Sequence, residues 1–188
     1  MPLKAEKLEC DKRPYGIRMD DGSTVHAHSI VIATGARYKR LNVKNLEKFE
    51  GRGVYYGATH VEALLCDNCE VAVVGGGNAA GQAAVFLAKH AKHVHMLVRG
   101  KGLSETMSSY LAHRIKVDPN ITLHTSTEVV ELGGEDALET VVWRNNETGE
   151  VTKQAIRHLF VLIGAVPNTA WLDGCLALDR NGFIKTGA

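Results

Sequence analysis

The sequence predicts an α/β protein with a Rossmann-like, doubly wound parallel sheet and a β-meander insertion. Short, continuous apolar runs such as 71–74 and 159–163 are typical of parallel strands that are buried on both faces. Segments with helical character separate several of these runs, which is the alternation expected of βαβ units. A polar turn at 145–149 separates two further strand-like segments and predicts the antiparallel insertion.

The individual elements follow from local signals along the chain. Tyr15–Met19 alternates in polarity, and a turn signal at 20–22 predicts a hairpin with Thr24–Ala27. Ser104 is a candidate N-cap for the second long helix, which Pro119 ends. Strands are predicted at 15–19, 24–27, 29–33, 71–74, 94–98, 121–126, 139–143, 151–156 and 159–163, and helices at 78–90 and 104–117.

Composition and charge exclude several classes of function. The 188 residues include 22 Lys and Arg against 21 Asp and Glu, and this net charge of +1 favours neither nucleic acid nor a membrane surface as a partner. No apolar run reaches the length of a membrane span, and the N-terminus lacks the apolar stretch of a signal peptide. Because four scattered cysteines do not suit a secreted disulfide framework, we expect a cytoplasmic protein with reduced thiols.

The segment after the strand at 71–74 fits the dinucleotide-binding pattern G-x-G-x-x-A. Gly75 permits a sharp turn, Gly77 lets a diphosphate approach the backbone, and Ala80 allows the following helix to pack closely. The N-terminus of that helix offers free N–H groups and the positive end of a dipole. We therefore predict a nucleotide site, with a tight turn that binds no ligand as the alternative. Its residues are Gly75, Gly76, Gly77, Asn78, Ala79 and Ala80.

The residues after the next strand determine whether the site prefers NAD or NADP. NAD sites place an acidic residue there, which binds the ribose 2′-hydroxyl. This chain has Arg99 and Lys101 instead, and a guanidinium can pair with a 2′-phosphate through two hydrogen bonds. We therefore predict that NADP(H) is the small-molecule ligand. The alternative is that both cations are solvated loop residues.

Other groups of residues suggest chemistry less directly. Cys66 and Cys69 have the spacing of a redox disulfide or of half a zinc site, but no matching zinc ligands follow. We expect two reduced thiols and no metal site, with a redox pair as the alternative. Histidines near the C-terminus of a helix can interact favourably with the negative end of its dipole. We expect this role for His90, His93 and His95. Hydroxyl residues that suit either phosphate contact or a polar helix start are Ser104, Thr106, Ser108 and Ser109.

Four segments resemble, in order and spacing, parts of the thioredoxin reductase family of flavin-dependent pyridine nucleotide–disulfide oxidoreductases. Residues 30–36 resemble the family's strand ending in A-T-G, and 53–56 resemble the lead-in to its redox motif. Residues 71–80 resemble its NADP loop, and 163–169 resemble its I-G-x-x-P-N-T segment. The resemblance runs from Tyr15 to the end of the chain.

This resemblance implies an enzyme in which one domain holds FAD and an inserted second domain holds NADPH. Residues 1–56 then belong to the FAD domain, 57–166 form the NADP domain, and 167–188 begin the return to the FAD domain. The fold therefore includes incomplete flavin-domain segments. The matching motifs add Thr34, Gly35 and Gly164 to the cofactor-binding residues. A homodimer and an electron-acceptor protein are further expected partners.

The chain departs from the family pattern at three places. No G-x-G-x-x-G loop precedes position 30 and no G-D motif follows 163–169, so we expect a fragment or an unusual short protein with weak or no FAD binding by itself. The family's redox motif C-A-T-C is replaced by Gly57-Ala58-Thr59-His60, so the two-cysteine mechanism does not carry over. His60 would lie near the flavin, where an imidazole can donate a proton.

The predicted function is hydride transfer from NADPH to FAD in a thioredoxin reductase-like flavoprotein without the usual disulfide. A quinone, a ferredoxin or another protein would then accept the electrons. The alternative is a non-catalytic NADP(H)-binding or redox-sensing module. The A-T-G and P-N-T segments favour the enzyme, because they have little purpose without a flavin domain.

Overall fold

A computed structural model describes residues 2–104, 106–172 and 174–187. The chain forms two compact units: one contains the residues up to Arg37 together with those from Ala165 onward, and the other is Tyr38–Gly164. The second unit includes a short helix whose Leu46 and Phe49 are buried in its core, and the predicted limits of the FAD and NADP domains stay predictions. Within the described residues, no helix is both long and apolar enough to cross a membrane.

Helices and strands alternate between residues 46 and 124, with strands before and after. The helices are α1 (Leu46–Phe49), α2 (His60–Leu65), α3 (Asn78–Leu87) and α4 (Ser109–Val117), with a 3₁₀ turn at Ala170–Leu172. The strands are β1 (Ala5–Glu9), β2 (Tyr15–Met19), β3 (Thr24–Ala27), β4 (Ala36–Tyr38), β5 (Val54–Tyr55), β6 (Glu70–Val74), β7 (His93–Leu97), β8 (Ile121–His124), β9 (Thr127–Gly133), β10 (Thr140–Asn145), β11 (Val151–Gln154), β12 (His158–Val161) and β13 (Ala165–Pro167).

The second unit is built on a parallel sheet with the strand order β5-β12-β6-β7-β8. From β6 the chain moves outward through β7 and β8, and it later returns on the other side of β6 as β12. The predicted doubly wound parallel sheet is therefore confirmed. The direction of winding changes between β6 and β12, and ligands of such sheets bind beyond the carboxyl ends of the strands at this point.

Alternate residues of the central strands face two different layers. Val71, Val73 and Met96 share one apolar cluster with residues of α3 and α4. Ala72 and Leu97 share the other cluster with residues of the antiparallel sheet β11-β10-β9. This antiparallel sheet is the predicted β-meander insertion, and it includes β9, a strand that the sequence did not predict.

The helix after β7 begins later than the sequence predicts. α4 starts at Ser109 with Ser108 as its N-cap, so the predicted cap at Ser104 is wrong. The preceding residues form a turn in which the Met107 N–H donates to the Leu103 carbonyl (3.0 Å). Both of these apolar side chains are buried. Their burial anchors the turn against the core and explains why the helix does not extend to 104.

The first unit contains the antiparallel sheet β1-β2-β3. The predicted hairpin of β2 and β3 is confirmed, with Gly22 at a φ of 83° in its turn. The sequence did not predict β1, which pairs with β2 through a register shift near its start. The mixed polarity of its five residues, Ala-Glu-Lys-Leu-Glu, offers only Leu8 as a buried position, which explains the weak signal.

A disulfide joins Cys10 and Cys175 within the first unit, with their Cα atoms 5.8 Å apart. The expectation that all thiols are reduced is therefore wrong for this pair. The two cysteines are separated by 165 positions, and only the folding of the C-terminal segment beside β1 brings them together. Spacing along the sequence therefore could not reveal the pair.

The apolar run at 30–33 does not form the predicted buried strand. These residues belong to no strand, and the side chain of Val31 is 93% exposed. A buried parallel strand needs neighbours in the sheet and a layer on each face. Among the described residues, none pairs with this run, so its apolar composition alone does not produce a strand.

Candidate functional site

The glycine loop leaves the carboxyl end of β6, beside the ends of β7 and β12. The Gly75 N–H donates to the Leu97 carbonyl at the end of β7 (3.1 Å). Gly75 has a φ of 144°, and a Cβ atom there would lie 2.4 Å from the Leu162 carbonyl oxygen. Only glycine fits this close approach. Because the loop contacts residues that end β7 and follow β12, it lies at the point where the winding of the sheet changes.

Gly77 is the N-cap of α3, and the space above its backbone is open. Its φ of −91° suits any residue, and a Cβ atom there would have the Thr106 carbonyl oxygen as its nearest neighbour, at 3.9 Å. The first N–H groups of a helix have no partner within it and carry the positive end of its dipole. The arrangement therefore fits a diphosphate, whose oxygens can accept hydrogen bonds from these groups.

Small residues bring α3 close to the loop. Ala80 is fully buried, and a Cβ atom on Gly75 would lie 2.9 Å from the Cβ atom of Ala80. A Cβ atom on Gly81 would lie 2.7 Å from side-chain atoms of both Met107 and Leu111. The helix therefore packs tightly against the loop on one side, and against α4 and the turn before it on the other.

Two hydrogen bonds join the loop to the turn before α4. The Thr106 hydroxyl donates to the Gly76 carbonyl (2.7 Å). The Ser108 N–H donates to the side-chain oxygen of Asn78 (2.8 Å). Thr106 and Ser108 therefore both contact the glycine loop. The sequence predicted for them either phosphate contact or a polar helix start.

The two predicted cations follow β7 at the same edge of the sheet. Arg99 is exposed. Lys101 forms an ion pair with Glu147 (Nζ to Oε1, 3.2 Å), and the two side chains are 90% and 53% exposed. The hydrogen bond from Lys101 holds the pKa of the Glu147 carboxyl below its usual range. Lys101 is thus engaged by a neighbour, although so exposed a pair is weak in water.

The remaining predicted cofactor residues lie in different units. In the first unit, the Thr34 hydroxyl donates to the Asn168 carbonyl and the Asn168 amide donates to the Thr34 carbonyl, both at 2.9 Å. The Asn168 N–H also donates to the Gly35 carbonyl (3.1 Å). In the second unit, the Gly164 carbonyl accepts from the Lys39 N–H (2.9 Å). Asn168 was not a predicted site residue, and its place in the P-N-T segment was the signal that could have found it.

The C-x-x-C cysteines form no disulfide, and their surroundings differ. Cys66 is fully buried, and its thiol donates to the Glu62 carbonyl (3.1 Å), whereas Cys69 is half-buried. Burial raises the pKa of the Cys66 thiol to about 12, so its thiolate is scarce at neutral pH. Because thiol–disulfide exchange needs an attacking thiolate, Cys66 is poorly suited to that role, and the redox pair stays a hypothesis.

The run that replaces the redox motif begins a short helix. Thr59 is the N-cap of α2, and its N–H and hydroxyl both donate to the Glu62 carboxylate. His60 is exposed, and its ring meets Phe86 of α3 edge-on with the centroids 5.2 Å apart. The predicted position of His60 beside a flavin stays a prediction.

Two of the histidines expected at a helix end belong instead to a cluster on the sheet. His95 of β7 contacts His124 of β8, with Nδ1 and Nε2 3.2 Å apart. Both rings pack on Trp143 of β10 at centroid distances of 5.4 Å. His93, on the same strand as His95, contacts the Thr122 hydroxyl (2.8 Å). The cluster therefore lies between the parallel sheet and the meander.

Burial of these rings makes the stability of the second unit depend on pH. Burial lowers the pKa of both His95 and His124 from the ordinary value of 6.5. The unfolded chain then binds protons that the folded chain does not, so stability is lost as the pH falls below 6.5. Glu70, His93 and Trp143 contact the rings directly. Lys92 and Gln154 bind Glu70, and Thr122 contacts His93.

We expect the free energy of unfolding to decrease from about pH 8 to about pH 5, and His124→Gln to make this decrease smaller. Denaturant unfolding at a series of pH values measures both. His113→Gln, an exposed replacement on α4, is the matched control. Equal pH dependence in the wild type and the His124 variant would contradict the assignment.

The fold and the loop together define a dinucleotide-binding α/β protein. The chain belongs to the pyridine nucleotide-disulphide oxidoreductase family, whose sequence model matches residues 3–188. The predicted resemblance to thioredoxin reductases within that family is confirmed by both relatives and solved structures.

Three comparisons illustrate the likeness. NADPH-dependent thioredoxin reductase 3 of Arabidopsis thaliana is 34% identical over 192 residues, which cover 97% of this chain and 35% of that protein. NADH dehydrogenase of Bacillus subtilis (strain 168) is 32% identical over 181 residues, which cover 96% and 35%. The thioredoxin reductase structure from Streptococcus pyogenes MGAS5005 matches with a TM-score of 0.83 and 28% identity, over 98% of this chain and 60% of that one. The chain thus spans only 35% of the length of these two curated relatives.

Proposed function

We propose that this chain is the NADPH-binding part of a thioredoxin reductase-like flavoprotein oxidoreductase. The observation that carries the proposal is the open backbone at Gly77, at the N-terminus of α3 and at the change of winding in the sheet. In such an enzyme, bound NADPH supplies a hydride to FAD. The residues of this chain bind and orient the nucleotide.

Each part of the proposed site has a separate task. The N–H groups at the start of α3 bind the diphosphate, and Gly77 leaves them accessible. Arg99 pairs with the 2′-phosphate through two hydrogen bonds, which a carboxylate at this place would repel. The relatives include both an NADH dehydrogenase and an NADPH-dependent thioredoxin reductase. The proposed preference for NADPH therefore depends on Arg99.

The electron acceptor is proposed to be a quinone, a ferredoxin or another protein, with the chain acting in a homodimer. An internal disulfide at the family's redox position is not available, because residues 57–60 contain no thiol and Thr59 caps α2 instead. Cys66, the nearest cysteine along the chain, is buried and holds its proton. Thr34 and Asn168, which lie in segments that resemble the flavin domain, form two hydrogen bonds to each other.

The nucleotide preference is tested by calorimetric titration of the chain with NADPH and NADH. Arg99→Leu is expected to raise the Kd for NADPH by about 10–100-fold, the range of one or two hydrogen bonds to a charged group, and to leave the Kd for NADH unchanged. Lys101→Met is expected to have a smaller effect, because an ammonium cannot form the two parallel hydrogen bonds of a guanidinium. Arg18→Leu, which replaces an exposed arginine on β2, is the matched control and is expected to leave both Kd values unchanged. Equal affinity of the wild type for both nucleotides would remove the role of Arg99.

A second candidate is a redox-sensing module that binds NADP(H) without transferring a hydride. The replacement of the redox motif favours it, because residues 57–60 contain no thiol, Thr59 caps α2 and Cys66 is buried. Anaerobic addition of NADPH to the chain in the presence of excess FAD distinguishes the two. The enzyme bleaches the visible absorbance of oxidised flavin, whereas a sensor binds NADPH with the absorbance unchanged.

A further inference from the structure

We propose, on the basis of the function proposed above, that Thr106 is a positioning residue for nucleotide binding. Its hydroxyl holds the peptide between Gly76 and Gly77 in one orientation, so that the Gly77 N–H stays directed away from Thr106 and available to the diphosphate. Thr106 thus acts through the backbone of the loop and has no direct contact with the ligand.

The geometry of one peptide group supports this role. The Thr106 hydroxyl donates to the Gly76 carbonyl at 2.7 Å. In a planar, trans peptide, the carbonyl of one residue and the N–H of the next point in opposite directions. Holding the Gly76 carbonyl therefore also fixes the Gly77 N–H. Since three consecutive glycines have little conformational preference of their own, an external tether has its largest effect here.

The tether is rigid because the turn that carries it is anchored on both sides of Thr106. Leu103 and Met107 are buried in the core shared with α3 and α4. The close approach of Met107 to α3 depends on Gly81, where a Cβ atom would lie 2.7 Å from the end of that side chain. Buried neighbours thus hold an exposed hydroxyl at a fixed position over the loop.

The same hydrogen bond argues against direct contact between Thr106 and phosphate. A threonine hydroxyl has a single proton to donate, and here it is donated to the Gly76 carbonyl. A phosphate oxygen can only accept, so contact would require this bond to break. Positioning of the loop is therefore the role that agrees with the observed contact.

The test compares three ligands on Thr106→Val and Thr106→Ser. NADPH carries both phosphate groups, ADP-ribose carries only the diphosphate, and 2′-AMP carries only the 2′-phosphate. Thr106→Val is expected to raise the Kd for NADPH and ADP-ribose by the same factor of about 3–10, the range of one neutral hydrogen bond, and to leave 2′-AMP unchanged. Thr106→Ser keeps the hydroxyl and is expected to restore both affinities. Arg99→Leu is expected to give the opposite pattern, with NADPH and 2′-AMP weakened and ADP-ribose unchanged.

Each outcome separates this role from the proposed function. Absence of NADPH binding by the wild-type chain would overturn the proposed function itself. If the wild type binds and Thr106→Val binds NADPH and ADP-ribose equally well, the nucleotide site stands and the positioning role is wrong. Weakening of 2′-AMP by Thr106→Val, or failure of Thr106→Ser to restore binding, would show a general structural role and would also overturn it.

Discussion

Gly77→Val is expected to weaken NADPH binding by at least about 100-fold, equivalent to about 3 kcal/mol, while the chain stays folded. A valine fits the backbone of the free protein, because the φ of −91° is ordinary and the nearest atom to a Cβ would be 3.9 Å away. The added methyl groups occupy the space through which the diphosphate reaches the N–H groups of α3. Calorimetry with NADPH and thermal unfolding of the free chain measure the two effects separately.

Gly75→Ala is the matched control, because its added Cβ meets the protein itself and not the space for the nucleotide. Its Cβ would lie 2.4 Å from the Leu162 carbonyl oxygen, at a φ that L-residues rarely adopt. This variant is expected to lose folding stability, whereas Gly77→Val loses affinity. If Gly77→Val binds NADPH like the wild type, the loop does not receive the diphosphate. If Gly77→Val unfolds instead, the space at this position is not open.

Cys10→Ser is expected to destabilise the first unit by about 4 kcal/mol. The disulfide closes a loop of chain between Cys10 and Cys175 when the first unit is unfolded. Because a hydrogen bond from the Lys39 N–H to the Gly164 carbonyl joins the two ends of the second unit, folded residues 39–164 add little to the length of that loop. The effective loop then has about 40 residues, for which chain entropy predicts this magnitude. A loop of the full 165-residue separation would give a larger value.

Hydrogen exchange measures this loss within one molecule. Amides of β1, β2 and β3 are expected to exchange faster in Cys10→Ser, and those of β6 and β7 are expected to keep their protection. Cys69→Ser replaces a free, half-buried cysteine and is the matched control. Unchanged exchange in β1–β3 would show that the disulfide contributes little.

Local signals in the sequence were sufficient for the centre of the fold and for the glycine loop. The apolar run at 71–74, the glycines that follow it and the alanine-rich helix are all contiguous, so each residue reports on its immediate neighbours. The same holds for the hairpin of β2 and β3, whose turn residues lie between its strands. Such features depend on short-range geometry, which a single sequence records directly.

Features that depend on distant residues could not be predicted. The Cys10–Cys175 disulfide, the Thr34–Asn168 hydrogen bonds and the His95–His124 contact each join parts of the chain that only the tertiary fold brings together. The error at Ser104 has the same origin. Burial of the neighbouring Leu103 in the core overrides a local capping signal, and the role of Thr106 then follows from where that turn lies.

The run at 30–33, in which the Val31 side chain is 93% exposed, has a practical consequence for work with this chain. Ile30, Val31 and Ile32 favour extended backbone, and their N–H and carbonyl groups have no ladder partner among the described residues. An uncharged apolar segment in this state readily pairs with the edge of another molecule, which is the usual beginning of aggregation. Dilute samples therefore suit the titrations, because self-association through this segment would otherwise compete with them.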